Sequence, residues 1–230
     1  MNIFYQPGVS ETNLLSEEES SHCVRVMRMK KGDEINIIDG KGNFHKAEIT
    51  DPNPKKCAVK ILETKKEFGK RDFRLHVAIA PTKNTERLEW FLEKATEIGI
   101  DEITPIICER SERKAVKEER VNKVLIAAMK QSIKAYLPKL NEQKKYTDFV
   151  KNNFPAQKFI AYLSSASVKL KSSYQKGDVL ILIGPEGDFS PGEVALAKES
   201  GFLEVSLGPS RLRTETAGIV ACEIANLMNE

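Results

Sequence analysis

The chain has 230 residues, with 40% hydrophobic and 30% charged side chains, enough for one large domain or two modest ones and too apolar for global disorder. Its net charge of +3 is spread as +1 over residues 1–70, +3 over 71–150 and −1 over 151–230, a balance that permits nucleic-acid binding without requiring it. The longest apolar run, residues 179–183, is far too short to cross a bilayer, and MNIFYQPG lacks the layout of a signal peptide, so a cytoplasmic protein with no membrane contact is expected.

Residues 1–70 read as a small β-rich module. Ser16-Glu17-Glu18-Glu19 fits a capping box that opens a short helix running to about Met27. GDEINIIDGKGNFHKAEITDP then reads as a hairpin. Ile35 and Ile37 alternate with polar residues, residues 39–42 supply the turn, and His45, Ala47 and Ile49 alternate on the return. CAVKIL, residues 57–62, is a further strand, and the charged stretch 63–71 with Gly69 reads as a linker.

The rhythm changes at Phe73. LHVAIAP (75–81) is a buried-type strand. ERLEWFLEKATEIG (86–99) is a helix with Leu88, Phe91, Leu92, Ala95 and Ile98 on one face and Gly99 as its cap. EITPIIC (102–108) is a strand, and residues 121–136 form a helix with Val124, Leu125, Ala128, Met129 and Ile133 facing inward. KFIAYL (158–163) and VLILIG (179–184) are strands. Ser190-Pro191-Gly192-Glu193 opens another helix with a capping box and a first-turn proline, and Gly201 closes it. FLEVSLGP returns as a strand before a final helix. Such alternation predicts an α/β domain built on a mostly parallel sheet covered on both faces.

Cys23, Cys57, Cys108 and Cys222 show no CxxC pairing, and His22, His45 and His76 are isolated. No metal site or disulfide framework is expected, and the thiols are read as reduced and mostly buried.

Two strands end alike, in Gly184-Pro185 and Gly208-Pro209. Ligands of open parallel sheets gather beyond the carboxyl ends of the strands. Glycine allows close approach there and proline fixes the turn. The pair reads as two ligand loops, although each Gly-Pro alone is also an ordinary tight turn. No GxxxxGK[ST] is present, and GPEGDF does not fit GxGxxG, so neither a P-loop nor a dinucleotide fingerprint is supported. SRLRTETA adds Arg211 and Arg213, whose forked guanidinium groups suit phosphate or carboxylate. Thr214 or Thr216 can equally serve as a helix cap, with Glu215 complementing the helix dipole.

IGPEGDFS followed by SLGPSRLRTETA resembles the RsmE family of 16S ribosomal RNA uridine-N3 methyltransferases in the SPOUT superfamily. HCVRVMRMKKGDEI, PTKNTERLEWFLEKATEIGI and ERSERK extend the resemblance over nearly the whole chain. It implies a PUA-like β-barrel over 1–70 and a SPOUT methyltransferase domain with a trefoil knot over 71–230. It also implies S-adenosylmethionine as methyl donor, a homodimer, and the small ribosomal subunit as partner. By motif, the cofactor residues would be Leu163, Gly184, Pro185, Glu186, Gly187, Ser206, Leu207, Gly208, Leu212, Arg213, Thr214 and Glu215. The RNA-binding residues would be Arg25, Arg28, Lys30, Lys31, Arg87 and Arg113.

Two positions depart from the family pattern. Asp188 stands where relatives carry a second glycine, and Lys130-Gln131-Ser132-Ile133-Lys134 stands where they read Glu-Gln-x-Gly-Arg. N3 of uracil carries a proton that must leave before or during attack. Glu215 is the expected base and Arg213 the group that steadies the developing anion. Two readings compete with this: another SPOUT RNA methyltransferase acting on a ribose hydroxyl or on transfer RNA, and a non-catalytic RNA-binding assembly factor.

Overall fold

The computed structural model of the chain describes residues 2–230. It divides into two compact units. One contains the residues up to Lys70 together with Ile126–Leu137, and the other contains Arg71–Leu125 and Pro138–Glu230. The segment Ile126–Leu137, which the sequence reading assigned to the second domain, therefore groups with the first.

The first unit carries a four-stranded sheet in the order β1-β2-β3-β4, with β1 Ile3–Tyr5, β2 Glu34–Ile38, β3 Phe44–Asp51 and β4 Ala58–Lys65. The β2–β3 hairpin pairs Ile35 with Ala47 and Ile37 with His45, the alternation read from the sequence. Helix α1, Val9–Thr12, precedes α2, Glu17–Ser21, which runs on as a π-helical turn over His22–Val26. Only half of the expected first capping box forms. Ser16 accepts from Glu19 N, but Glu19 turns its carboxylate to Tyr5 N and Lys130. The apolar face of the sheet closes over Phe4, Ile35, Ile37, Ala47, Ile49 and Cys57. A smaller cluster joins Ile38 to Met129 and Ala135, and Gly42 N donates to Ala135 O, which ties residues 126–137 to this unit.

The second unit is built on β5 Leu75–Ile79, α3 Thr85–Ile98, β6 Glu102–Ile107 and α4 Glu118–Gln131, whose last residues belong to the first unit. There follow β7 Lys139–Leu140, β8 Lys144–Lys145, α5 Tyr146–Phe149, β9 Gln157–Ala161, β10 Val168–Lys169 and α6 Leu170–Ser173. The chain finishes with β11 Val179–Ile183, α7 Pro191–Glu199, β12 Leu203–Ser206 and α8 Thr214–Asn229. The strand order is β10-β12-β9-β11-β5-β6-β7, with β8 also on β6, and the pairs are parallel.

Side-chain alternation splits the apolar strands between two layers. Ala78 and Leu182 are register partners and pack with Tyr146, Phe149, Val194 and Ala197 of α5 and α7. Ile79 and Ile183 point the other way, towards α3 and α8. There a Cβ on Gly218 would lie 2.5 Å from the Phe91 ring, so glycine sets how closely the two helices approach. Helix α4 ends at Gln131, five residues before the expected end, and Ile133 is 39% exposed, not inward-facing. All four cysteines are free and buried. Among the described residues, no helix is long and apolar enough to cross a membrane, and no cluster of acidic, histidine or cysteine side chains could hold a metal ion.

Candidate functional site

Strand β9 lies between β11 and β12, with Ala161 level with both Ile183 and Val205. The two Gly-Pro ends therefore emerge on either side of the end of β9. A cavity of about 430 Å³ opens there, lined by residues 161–163, 183–186, Asp188, 205–208 and 210–214, with Arg87 and Ala217. Its walls combine apolar surface from Leu163, Pro185, Leu207 and Leu212 with the charged side chains of Glu186, Asp188, Arg211 and Arg213.

The first wall is held from several sides. Thr214 Oγ1 donates to Gly184 O at 2.9 Å, Asp188 N to Pro185 O at 2.9 Å, and Lys83 N to Glu186 Oε1 at 2.9 Å. Arg110 Nη1 donates to Gly187 O at 3.0 Å, and Phe189 packs 3.1 Å from where a Cβ on Gly184 would sit. Helix α7 then starts with the complete capping box expected at Ser190 and Glu193. Thr214 caps nothing. Arg213 occupies the cap position of α8 without a side-chain cap, and the Thr214 hydroxyl fastens the helix start to the first loop. At the second wall, Gly208 has φ +153, and a Cβ there would meet no atom within 4 Å.

Of the expected cofactor residues, Leu163, Gly184, Pro185, Glu186, Ser206, Leu207, Gly208, Leu212, Arg213 and Thr214 line this cavity. Gly187 and Glu215 do not. Gly187 backs the loop against Arg110. Glu215 faces a neighbouring cavity of about 400 Å³ with Asn84, Glu86, Arg87, Trp90 and Thr216. The reason is helical: consecutive residues at the start of α8 point about 100° apart, so Thr214 and Glu215 reach different spaces. Arg87, expected to contact RNA, borders both cavities, and its Nε lies 3.8 Å from Glu215 Oε1. Arg113 donates to the carbonyls of Thr82 and Lys83 and so braces the turn after β5. In the first unit, Arg25, Arg28, Lys30 and Lys31 are all exposed along one short stretch, beside the exposed Val26 and Met27.

The motifs do not single out Ala161, Tyr162, Ile183, Asp188, Val205, Ser210, Arg211 and Ala217 as cofactor residues, and all eight line the cavity. Arg211 and Asp188 lay within the quoted motifs. Ala161 and Tyr162 precede Leu163 at a visible strand end.

A covered parallel sheet with a cavity over three adjacent strand ends, joined in one chain to a small β-rich unit, defines a two-part α/β protein with a ligand site at the carboxyl ends of its strands. The chain matches an RNA methyltransferase domain over residues 70–226 and an RNA methyltransferase PUA domain over residues 15–62. It is 30% identical to ribosomal RNA small subunit methyltransferase E of Aquifex aeolicus, over all of both chains. A probable rRNA-methyltransferase from Porphyromonas gingivalis is 42% identical, with a TM-score of 0.93 covering 100% of this chain and 98% of that one. Ribosomal RNA small subunit methyltransferase E from Neisseria gonorrhoeae, solved bound to S-adenosyl methionine, is 27% identical with a TM-score of 0.87, covering 96% and 95%. The chain belongs to the family of ribosomal RNA small subunit methyltransferases E.

Proposed function

We propose that this chain transfers a methyl group from S-adenosylmethionine to N3 of a uridine in small-subunit ribosomal RNA. The observation that carries the reading is the meeting of three strand ends and the RLRT segment around one cavity, with Gly208 leaving open space in its wall. The cavity suits the donor. Apolar surface beside main-chain groups fits a flat adenine, and Glu186 and Asp188 offer carboxylates to ribose hydroxyls or an ammonium group. Leu163, Gly184, Pro185, Ser206, Leu207, Gly208 and Leu212 would hold it. Bound there, S-adenosylmethionine supplies an electrophilic methyl carbon on a sulfonium and leaves as a neutral thioether.

The chain's own groups act on the acceptor. Glu215 takes the N3 proton, and the pair left on N3 forms the bond to the methyl carbon. Arg213, at the cavity edge, steadies the negative charge on the uracil oxygens. N3 lies on the pairing edge, so the base must be unpaired or flipped out to react. Arg25, Arg28, Lys30 and Lys31 would bind RNA phosphates, giving a salt-dependent affinity. A homodimer, a trefoil knot in the second unit and a cytoplasmic location belong to the same proposal. The test is to incubate the protein with labelled S-adenosylmethionine and small subunits from cells lacking the gene, then map the label. Methyl on N3 of one uridine is expected. A ribose methyl would select a different reaction of the superfamily, and no transfer would sink the enzymatic reading.

A further inference from the structure

The cavity that holds Glu215 is separate from the one assigned to the donor. It lies between the first turns of α3 and α8, which pack side by side. Glu215 is only 7% exposed, yet its Oε2 has no hydrogen-bond partner. A buried carboxylate oxygen without a donor is costly, and on a side chain that lines a cavity it points to a ligand that brings one. Two carboxylates, Glu86 and Glu215, face a single guanidinium, Arg87. That balance disfavours a phosphate and suits a neutral group with an N–H. Trp90, 43% exposed one helical turn from Arg87, adds a flat face. Arg87 also lines the larger cavity, so the two spaces adjoin.

From these features we infer that the Glu215 cavity is the receptor for the acceptor base. It takes one uracil stacked on Trp90 and reads its pairing edge. Uracil presents acceptor, donor, acceptor along that edge. Glu215 Oε2 receives the N3–H, the Arg87 guanidinium donates to one flanking carbonyl, and the Thr216 hydroxyl donates to the other, whose second lone pair is left for Arg213 from the adjoining donor cavity. Cytosine is refused because its unprotonated N3 would face a carboxylate, leaving both unpaired. The inference rests on the methyl-transfer reading and adds to it where the base sits and what selects it.

Trp90 is the chain's single tryptophan, so its fluorescence reports on this cavity alone. The full chain is titrated with a short single-stranded RNA carrying one uridine, and with the same RNA carrying cytidine or N3-methyluridine in its place. Labelled methyl transfer to small subunits is followed in parallel. The uridine RNA should quench Trp90, and the other two should bind at least about tenfold more weakly. Glu215→Leu, which leaves no acceptor for the N3–H, should erase the preference for uridine over N3-methyluridine while leaving donor affinity by calorimetry unchanged. Trp90→Phe should retain more transfer than Trp90→Ala. Transfer without any quenching, or quenching equal for all three RNAs, would overturn the base receptor while leaving the methyltransferase reading intact. Trp90 emission that changes with protein concentration and ignores RNA would assign the cavity to contact between copies of the chain and overturn it too. Selective quenching without methyl transfer would uphold the receptor and sink the reading on which it rests.

Discussion

The two Gly-Pro strand ends look interchangeable in the sequence, and the structure gives them opposite characters. The end at Gly184 is fastened by bonds from Thr214, Lys83 and Arg110, and Phe189 lies against it. The end at Gly208 has open space where a side chain would project. Both glycines line the cavity, but the first is also required by packing against Phe189 while the second leaves open space for a ligand. A shared dipeptide thus marks the site but does not say which half is scaffold and which is receptor.

Perturbing the opposite end of the sheet gives a control with the largest effect. His76 is half-buried against Phe149 and Phe154 and bonds Thr104 at 2.7 Å. Burial is the main cause that pushes its pKa down to about 4, opposed by the nearby Glu102 carboxylate. The unfolded chain, with an ordinary histidine pKa near 6.5, binds this proton more readily than the folded one. This contribution to stability is therefore complete above about pH 6.5 and is lost as pH falls towards 4, by on the order of 3 kcal/mol. Denaturant titrations at pH 7 and pH 4.5 should show the loss in wild type and a smaller one in His76→Gln.

The comparison itself is tested by alanine at each glycine. Gly184→Ala presses a methyl against Phe189 and should cost about 1–3 kcal/mol of stability. Gly208→Ala meets nothing but adopts φ +153, and should cost about 1 kcal/mol. Urea midpoints that rank them the other way would remove the distinction between scaffold and receptor.

Smaller effects come from the two departures from the family pattern. Both positions where the resemblance led to an expectation of glycine have left-handed backbone, φ +58 at Ile133 and φ +61 at Asp188. Isoleucine is β-branched and resists that region, so Ile133→Gly should stabilise by about 1 kcal/mol. Aspartate tolerates it better, and Asp188 Oδ1 accepts from Phe189 N at 2.8 Å. Asp188→Gly should therefore shift stability by only a few tenths of a kcal/mol. Thermal melts of the two variants would test that order.

Much of this was legible in the sequence because the central strands are nearly pure apolar runs and the helix before β12 carries its own cap. Elements of two to four residues, such as β1, β7, β8, β10, α1 and α6, are too short for periodicity to register. The end of α4 was misread because an isoleucine there looks like one more apolar residue of a helix face, while its backbone has already turned left-handed. The site was legible as a motif and blurred in detail. Arg213, Thr214 and Glu215 are adjacent in the chain, and only the exact start of α8 separates the donor cavity from its neighbour.

The central claim, that the two Gly-Pro ends wall one donor cavity, is tested most directly by calorimetric titration of S-adenosylmethionine into wild type and Gly208→Trp. The indole would enter the open space and fill the cavity. The account predicts saturable binding to wild type and none to a Gly208→Trp variant that retains its circular dichroism spectrum. Binding of equal affinity to both proteins would contradict it.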